Sequence, residues 1–406
     1  MYTFIEADCA VFVNLNLAMT SNHQDENGGW AVPLADVLVD DELAAAVETA
    51  LRSGWWSAGP QVEAFEEAFA DYLGTEHALA VANGTAALHL ALAATGIGRG
   101  DEVVLPSLNF VAAANAVAQT GATPVFCDIL GDDDLNLDPV SVEAALTPAT
   151  KAVLLLHYGG YPCDVDALLE LAGRHGFQLI EDSAHAPGAA VSGRACGTIG
   201  LAGCFSFFSN KNLPVGEGGL LVTADPDLGR RARLLRSHGM TTLTWDRHRG
   251  HASSYDVLER GFNYRLDELR AAIGLVQLRR LDAENAARGR VVDRYRRGLA
   301  SSGVTLPFAQ VRPGVRPAFH LATAVLQSEE LRERAREALT NARIQTSLHY
   351  PPIHLFSAYN GAPLRVPLTR TESVARRLLT LPLFGHMHED QIDAVVETLV
   401  GVGTTA

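Results

Sequence analysis

From His77 to Ala184 the chain alternates short apolar runs with amphipathic stretches. The apolar runs are residues 77–82, 103–107, 124–129, 151–157 and 178–184. Between them LHLALAATG, 110–121, 138–147 and Val165 to His175 carry apolar side chains at helical spacing. Strands that are apolar almost throughout are covered on both faces, as in a parallel sheet packed between helices. The predicted class is therefore α/β with a mostly parallel sheet. Open sheets of this kind place ligands beyond the carboxyl ends of their strands. Asn109, Phe110, His157, Asp182 and His185 stand at those positions.

A chain of 406 residues exceeds one ordinary domain. Residues 30–280 are predicted to form a large domain and 281–406 a smaller α+β domain. In the smaller one LATAVLQ and IQTSLHY read as strands, and Glu329 to Asn341, 371–379 and 389–400 as helices. The segment from GFNYRLDELRAAIGLVQL onward reads as a long helix bridging the two, broken near Gly274. Residues 1–29 read as a disordered leader. Glu6 and Asp8 and the lack of a basic start make it a poor signal peptide, and Met19 is an alternative start. The formal net charge of −15 argues against nucleic acid and anionic membranes as partners. No apolar run approaches the roughly 20 residues that cross a bilayer. Five cysteines without CxxC spacing predict free thiols in a reducing cytoplasm and no metal site.

Four segments carry candidate chemistry. Cys204 to Thr223, CFSFFSNKNLPVGEGGLLVT, reads as strand, loop, strand, with Lys211 in the loop. The chain has two lysines, Lys151 and Lys211, against thirty arginines. Arginine is effectively never deprotonated and cannot serve as an amine nucleophile. A retained lysine points to amine chemistry such as a Schiff base, with a chance loop lysine as the alternative. The second segment runs from a strand into Asn83-Gly84-Thr85-Ala86 and then a helix, which is either a plain cap or an anion cradle of free N–H groups. The third is EDSAHAPGA, holding Asp182 and His185. A carboxylate ending an apolar strand needs a partner: a cap, an arginine, or a buried protonated ring nitrogen. The fourth, 241–260, gathers Arg247, His248, Arg249 and His251 in an acidic protein. It reads as a receiver of anionic substrate, or as a solvated or inter-subunit loop.

Taken together these segments describe one site: an anion cradle at Gly84-Thr85-Ala86, an aromatic face at Phe110, a carboxylate at Asp182 and an amine at Lys211. Pyridoxal 5′-phosphate asks for that set. Its phosphate needs N–H donors, its ring a stacking surface, its pyridinium an anion and its aldehyde a lysine.

The motifs SGWWSAGP, NGTAALHLAL, PSLNFVAAANAV, EDSAHAPGA, FSFFSNKNLPVGEGG, GFNYRLDELRAAIGLVQL and LHYPPIH, in this order over roughly residues 30–400, resemble the DegT/StrS-type sugar aminotransferases. The resemblance implies the type I fold of pyridoxal-phosphate-dependent transferases. It implies that Lys211 forms the Schiff base and shuttles a proton, that Asp182 pairs with the ring nitrogen, and that Phe110 stacks on the ring. His185 would lie near the ring's phenolic oxygen, and Thr85, Ala86 and Ser206 would hold the phosphate. Asn263, with Arg265 as a second candidate, would reach the phosphate of a neighbouring subunit, making the protein a homodimer with shared sites. The implied reaction passes an amino group from glutamate or glutamine to a ketone on a nucleotide-linked sugar or a cyclitol, in secondary-metabolite or cell-surface sugar biosynthesis. The 241–260 run departs from the family pattern, which leaves open a smaller, non-nucleotide keto acceptor. A non-catalytic, regulatory binder of the same cofactor is the competing class.

Overall fold

The computed structural model describes residues 29–242, 245 and 254–404. Arg247, His248, Arg249 and His251, and the leader up to residue 28, lie outside the described residues. Seven strands form the central sheet: β1 (His77–Val81), β2 (Glu102–Pro106), β3 (Thr123–Cys127), β4 (Thr150–Leu156), β5 (Gln178–Asp182), β6 (Ala202–Ser206) and β7 (Gly219–Thr223). Their order across the sheet is β1-β7-β6-β5-β4-β2-β3. β7 is antiparallel to both of its neighbours, and the remaining pairs are parallel. Parallel neighbours need long crossovers, whereas antiparallel ones can be joined by a short loop. The reversal of β7 therefore lets the loop 207–218 turn back at the carboxyl ends of β5 and β6. Asp182, the last residue of β5, is paired with Cys204 of β6, so that loop leaves the sheet close to Asp182.

The helix Gly84–Thr95 is apolar nearly all round because it is buried on most sides. It lies on the sheet between the helices Ala112–Thr120 and Pro226–Arg236. The long helix Glu268–Gly298 runs unbroken for 31 residues from its Asp267 cap. The break expected at Gly274 does not occur. A Cβ there would lie 2.8 Å from the Phe65 ring, so this glycine is a packing notch rather than a hinge. A second core forms around the far half of this helix, with Val292, Tyr295, Ala324, Leu339, Leu381 and Val395. Val32 belongs to it as well, and the N–H groups of Ala31 and Val32 donate to the Arg343 carbonyl. Its two-stranded sheet pairs β8 (Ala322–Val325) with β9 (Leu378–Leu381). IQTSLHY, expected as a strand, makes only isolated bridges, Ile344 with Val32 and Ser347 with Thr380. Pro351 and Pro352 follow at once and have no N–H to extend a ladder. Arg370 donates to Asp128 and Asp138 and Arg377 to Asp132, tying the C-terminal helix Thr369–Arg377 to the loop after β3.

Side chains alternate along a strand, so Glu181 points away from the face that Asp182 serves. Glu181 is fully buried and accepts from the N–H groups of Gly197, Ile199 and Gly200 at 2.7 Å each, and from His157 Nε2 at 3.0 Å. His157 Nδ1 accepts from the Cys163 N–H at 3.1 Å, which leaves its one proton for Glu181. His157 thus belongs to the framework beneath the site. Glu181→Ala strands the N–H groups of Gly197, Ile199 and Gly200 and is expected to cost about 3–5 kcal/mol of stability. It would be read as a lower urea midpoint against a Glu170→Ala control on the protein surface.

Candidate active site

At the carboxyl ends of β5 and β6 lies a cavity of about 290 Å³. Its anion end is built by the turn after β1. The Asn83 side chain caps the helix by accepting from the Ala86 N–H at 2.8 Å. Among the described residues nothing accepts from the N–H of Gly84 or Thr85. A Cβ on Gly84 would stand 2.8 Å from Ser206 Cβ. Only glycine therefore lets the helix start press against the end of β6. Two free N–H groups, the positive end of a helix and the Ser206 hydroxyl then converge on one spot.

The middle of the cavity has an aromatic side and an acidic side. Phe110 keeps 56% of its surface exposed, unusual for a phenylalanine at the edge of a core, and its ring sits 5.8 Å from that of Tyr350. Asp182 is 4% exposed and accepts from the Ala184 N–H at 3.2 Å. Burial raises its pKa above the usual carboxylate value, while the Ala184 N–H and the charge on Lys211 act against that rise. A carboxylate so placed is poised for a cation.

The Lys211 amine closes the cavity. Burial lowers its pKa to about 8, with the Asp182 charge working the other way. Three histidines surround it, and burial first, then the lysine charge, lowers all three: His185 and His320 well below the usual value, His349 to about 4. They are neutral at pH 7. His185 Nδ1 accepts from the Gly159 N–H at 3.2 Å, so its Nε2–H donates to the Tyr350 hydroxyl at 2.8 Å.

Gly84, Thr85, Phe110, Asp182, His185, Ser206 and Lys211, all singled out from sequence, line this one cavity. Ala86 does not: its N–H is spent on the Asn83 cap. Asn263 is exposed and away from the cavity, in the extended segment before the long helix, where it bridges to Ser237. Arg265 is paired with Val81 and lines a second, small cavity with Arg236 and Trp245. His320 was not foreseen. Its only sequence signal is one polar residue entering the apolar run LATAVLQ. His349 and Tyr350 sit in LHYPPIH, where neither spacing nor composition marks them as site residues.

The sequence profile of the DegT/DnrJ/EryC1/StrS aminotransferase family matches residues 38–400. The chain is 40% identical to the spore coat polysaccharide biosynthesis protein SpsC of Bacillus subtilis (strain 168), over 91% of this chain and 96% of that protein. It is 42% identical to the dTDP-3-amino-3,4,6-trideoxy-alpha-D-glucose transaminase of Streptomyces venezuelae, over 88% and 92%. The crystal structure of the aminotransferase TlmJ from Streptoalloteichus hindustanus superposes with a TM-score of 0.85 at 36% identity, covering 92% of this chain and 99% of that one. The cofactor is pyridoxal 5′-phosphate, and solved relatives include PLP and PMP forms. The cavity suits it: a glycine cradle with free N–H groups, a bare aromatic face, a buried carboxylate lacking a cation, and an amine with a lowered pKa.

An amine attacks an aldehyde only when neutral. Starting from cofactor-free protein, the rate of covalent capture of pyridoxal phosphate should rise roughly tenfold per pH unit below about pH 8 and level off above it. An amine at the ordinary lysine value would still be accelerating at about pH 10. Because Asp182 holds the lysine pKa up, Asp182→Asn should move the plateau to lower pH. Stopped-flow absorbance at the band of the bound cofactor reads both.

Proposed function

The chain belongs to the DegT/DnrJ/EryC1/StrS aminotransferase family, and on that premise we propose that it moves an amino group from glutamate or glutamine to the keto group of a nucleotide-linked sugar. The observation that carries the reading is the convergence of Lys211, Asp182, Phe110 and the Gly84–Ser206 cradle on one cavity. The transaminase from S. venezuelae named above acts on a dTDP-sugar, and SpsC serves polysaccharide biosynthesis. Both support a sugar acceptor over a cyclitol or a small keto acid.

Pyridoxal phosphate, when bound, supplies an aldehyde that exchanges between amines and a cationic ring that draws electrons from the carbon bearing the amino group. Around it each residue has one task. Gly84 and Thr85 N–H groups and the Ser206 hydroxyl bind the phosphate. Phe110 covers one ring face. Asp182 keeps a proton on the ring nitrogen by giving it a buried anion. Lys211 would hold the cofactor through its amine and, once free, would move a proton at the substrate carbon as general base and then acid. A lowered pKa suits both roles, since the same nitrogen must lose and regain a proton near neutral pH. His185, fixed by Gly159 and Tyr350, is a neutral donor at the edge of the ring site.

A homodimer goes with this reading. Asn263 points out of the chain's own cavity, and Trp56, Tyr255, Val257 and Leu258 are each at least half exposed. These features fit a site completed by a second copy. Four free, buried cysteines and no helix among the described residues long and apolar enough to cross a membrane are consistent with a cytoplasmic enzyme.

The purified enzyme should be yellow and should lose its long-wavelength band on addition of glutamate. A 3-keto or 4-keto dTDP-sugar should restore that band, and keto acids or keto-cyclitols should not. Lys211→Ala should lower turnover by at least about 10²–10⁴-fold. A protein that binds the cofactor but answers no amino donor would be the regulatory alternative instead.

A further inference from the structure

His320 lies 109 residues from Lys211 in sequence, yet its Nε2 is 3.5 Å from the lysine Nζ. Among the described residues it is the one hydrogen-bond partner of that amine. His320 is 4% exposed and stands two residues before β8. Its other nitrogen, Nδ1, lies 2.9 Å from Asn212 Oδ1. The direction of that bond is fixed by the rest of Asn212. The Asn212 amide nitrogen donates to Asn285 Oδ1 and to the Ala318 carbonyl, 2.7 Å each. Asn285 in turn donates to the Pro187 carbonyl at 2.9 Å. Asn212 thus turns its oxygen to His320, Nδ1 must carry the ring proton, and Nε2 presents a lone pair to the amine.

We propose that His320 is the positioning residue for the Lys211 amine, accepting a hydrogen bond from Nζ whenever the amine is free of cofactor. The proposal rests on the reading of Lys211 as the reactive amine. It adds a physical reason for Asn212, the residue next to the lysine: the same loop that carries the amine orients the group that receives it. In each cycle the amine is released, gains a proton and must give it back at a defined place. A four-carbon side chain with free rotation would lose time and direction, and a fixed acceptor limits it to one arc. His320 does not take the proton itself. Its ring is buried, with the Lys211 charge alongside and His185, whose ring centroid is 4.5 Å away, as a neighbour, so the proton stays on Nζ. A side chain present only to fill space between the loop and β8 would not need its tautomer set by two asparagines.

The titratable and charged groups around the amine are Asp182, His185, Cys204, Glu217, His320, His349 and Tyr350, with Asp36, Arg280, Glu284, Arg288 and His386 around a second small cavity on its other side. An acceptor at Nε2 stabilises the protonated amine, so its removal should lower the lysine pKa. The chain's two lysines make this measurable. With [13Cε]lysine, the full-length protein gives two lysine signals. Lys151 is exposed on β4 and serves as reference, assigned with Lys151→Arg. The amine is titrated both without cofactor and in the pyridoxamine form, where it is free. His320→Asn keeps an N–H at the δ position for Asn212 but cannot reach the amine. It should lower the Lys211 pKa by about one unit, the value of one hydrogen bond, and reduce kcat about tenfold with KM for the amino donor unchanged. His320→Gln restores an acceptor at the ε position and should return the titration to within a few tenths of wild type. An unshifted titration in His320→Asn, or an equal shift in both variants, would overturn the proposal. Failure of the underlying reading would show separately, as cofactor capture that survives Lys211→Ala.

Discussion

A primary amine and a carboxylate drawn largely out of water at the end of one sheet set the terms for the rest of the molecule. Burial disfavours both charges, and the two groups answer in opposite directions: the amine becomes easier to deprotonate and the acid harder to ionise. Neither group is content alone. Asp182 lacks a cation in contact with it, and Lys211 has a neutral imidazole as its hydrogen-bond partner. A ligand that brings a protonated ring nitrogen and consumes the amine's charge relieves both at once. The pocket is therefore organised to be more favourable filled than empty, and by mass action the cofactor stabilises the fold that holds it.

The sheet topology makes this juxtaposition possible. Had β7 been parallel to β6, its connection would have been a crossover of a dozen residues or more, passing over a face of the sheet. With β7 reversed, the loop stays at the carboxyl edge, beside Asp182. The period of two along β5 does the rest. Glu181 and Asp182 are adjacent acids with opposite duties, because one faces the loops it holds in place and the other faces the ligand. The framework acid accepts from three backbone N–H groups and a histidine, whereas the site acid accepts from one backbone N–H, that of Ala184.

These principles explain what could be read in the sequence. Uniformly apolar runs between amphipathic helices announce a parallel sheet, and Asp182 stands out as a carboxylate at the end of such a run. Lys211 is conspicuous because the chain otherwise uses arginine. Gly84 is visible because a strand passes through it into a helix. The same logic could not separate His157 from the site, since polar residues near strand ends look alike until the facing of each is known. Ala86 was placed at the anion because it opens a helix, but the Asn83 cap takes its N–H, a choice between acceptors that only coordinates resolve. Leu378 and Leu379 read as the tail of the helix 371–379, as a short apolar run fits either period. His320 was invisible because its partner is a hundred residues away and because one histidine in an apolar run usually means a satisfied core side chain.

Among the described residues lining the cavity, Lys211 is the one cation, against Asp182 and Glu217, and its histidines are held neutral. That composition suits the chemistry at the ring, where a free lone pair is wanted on Lys211 and a stray imidazolium would lower its basicity. It does not suit the carboxylates of glutamate or the diphosphate of a nucleotide sugar, each of which needs positive charge on the protein. Such groups must then be met beyond this wall.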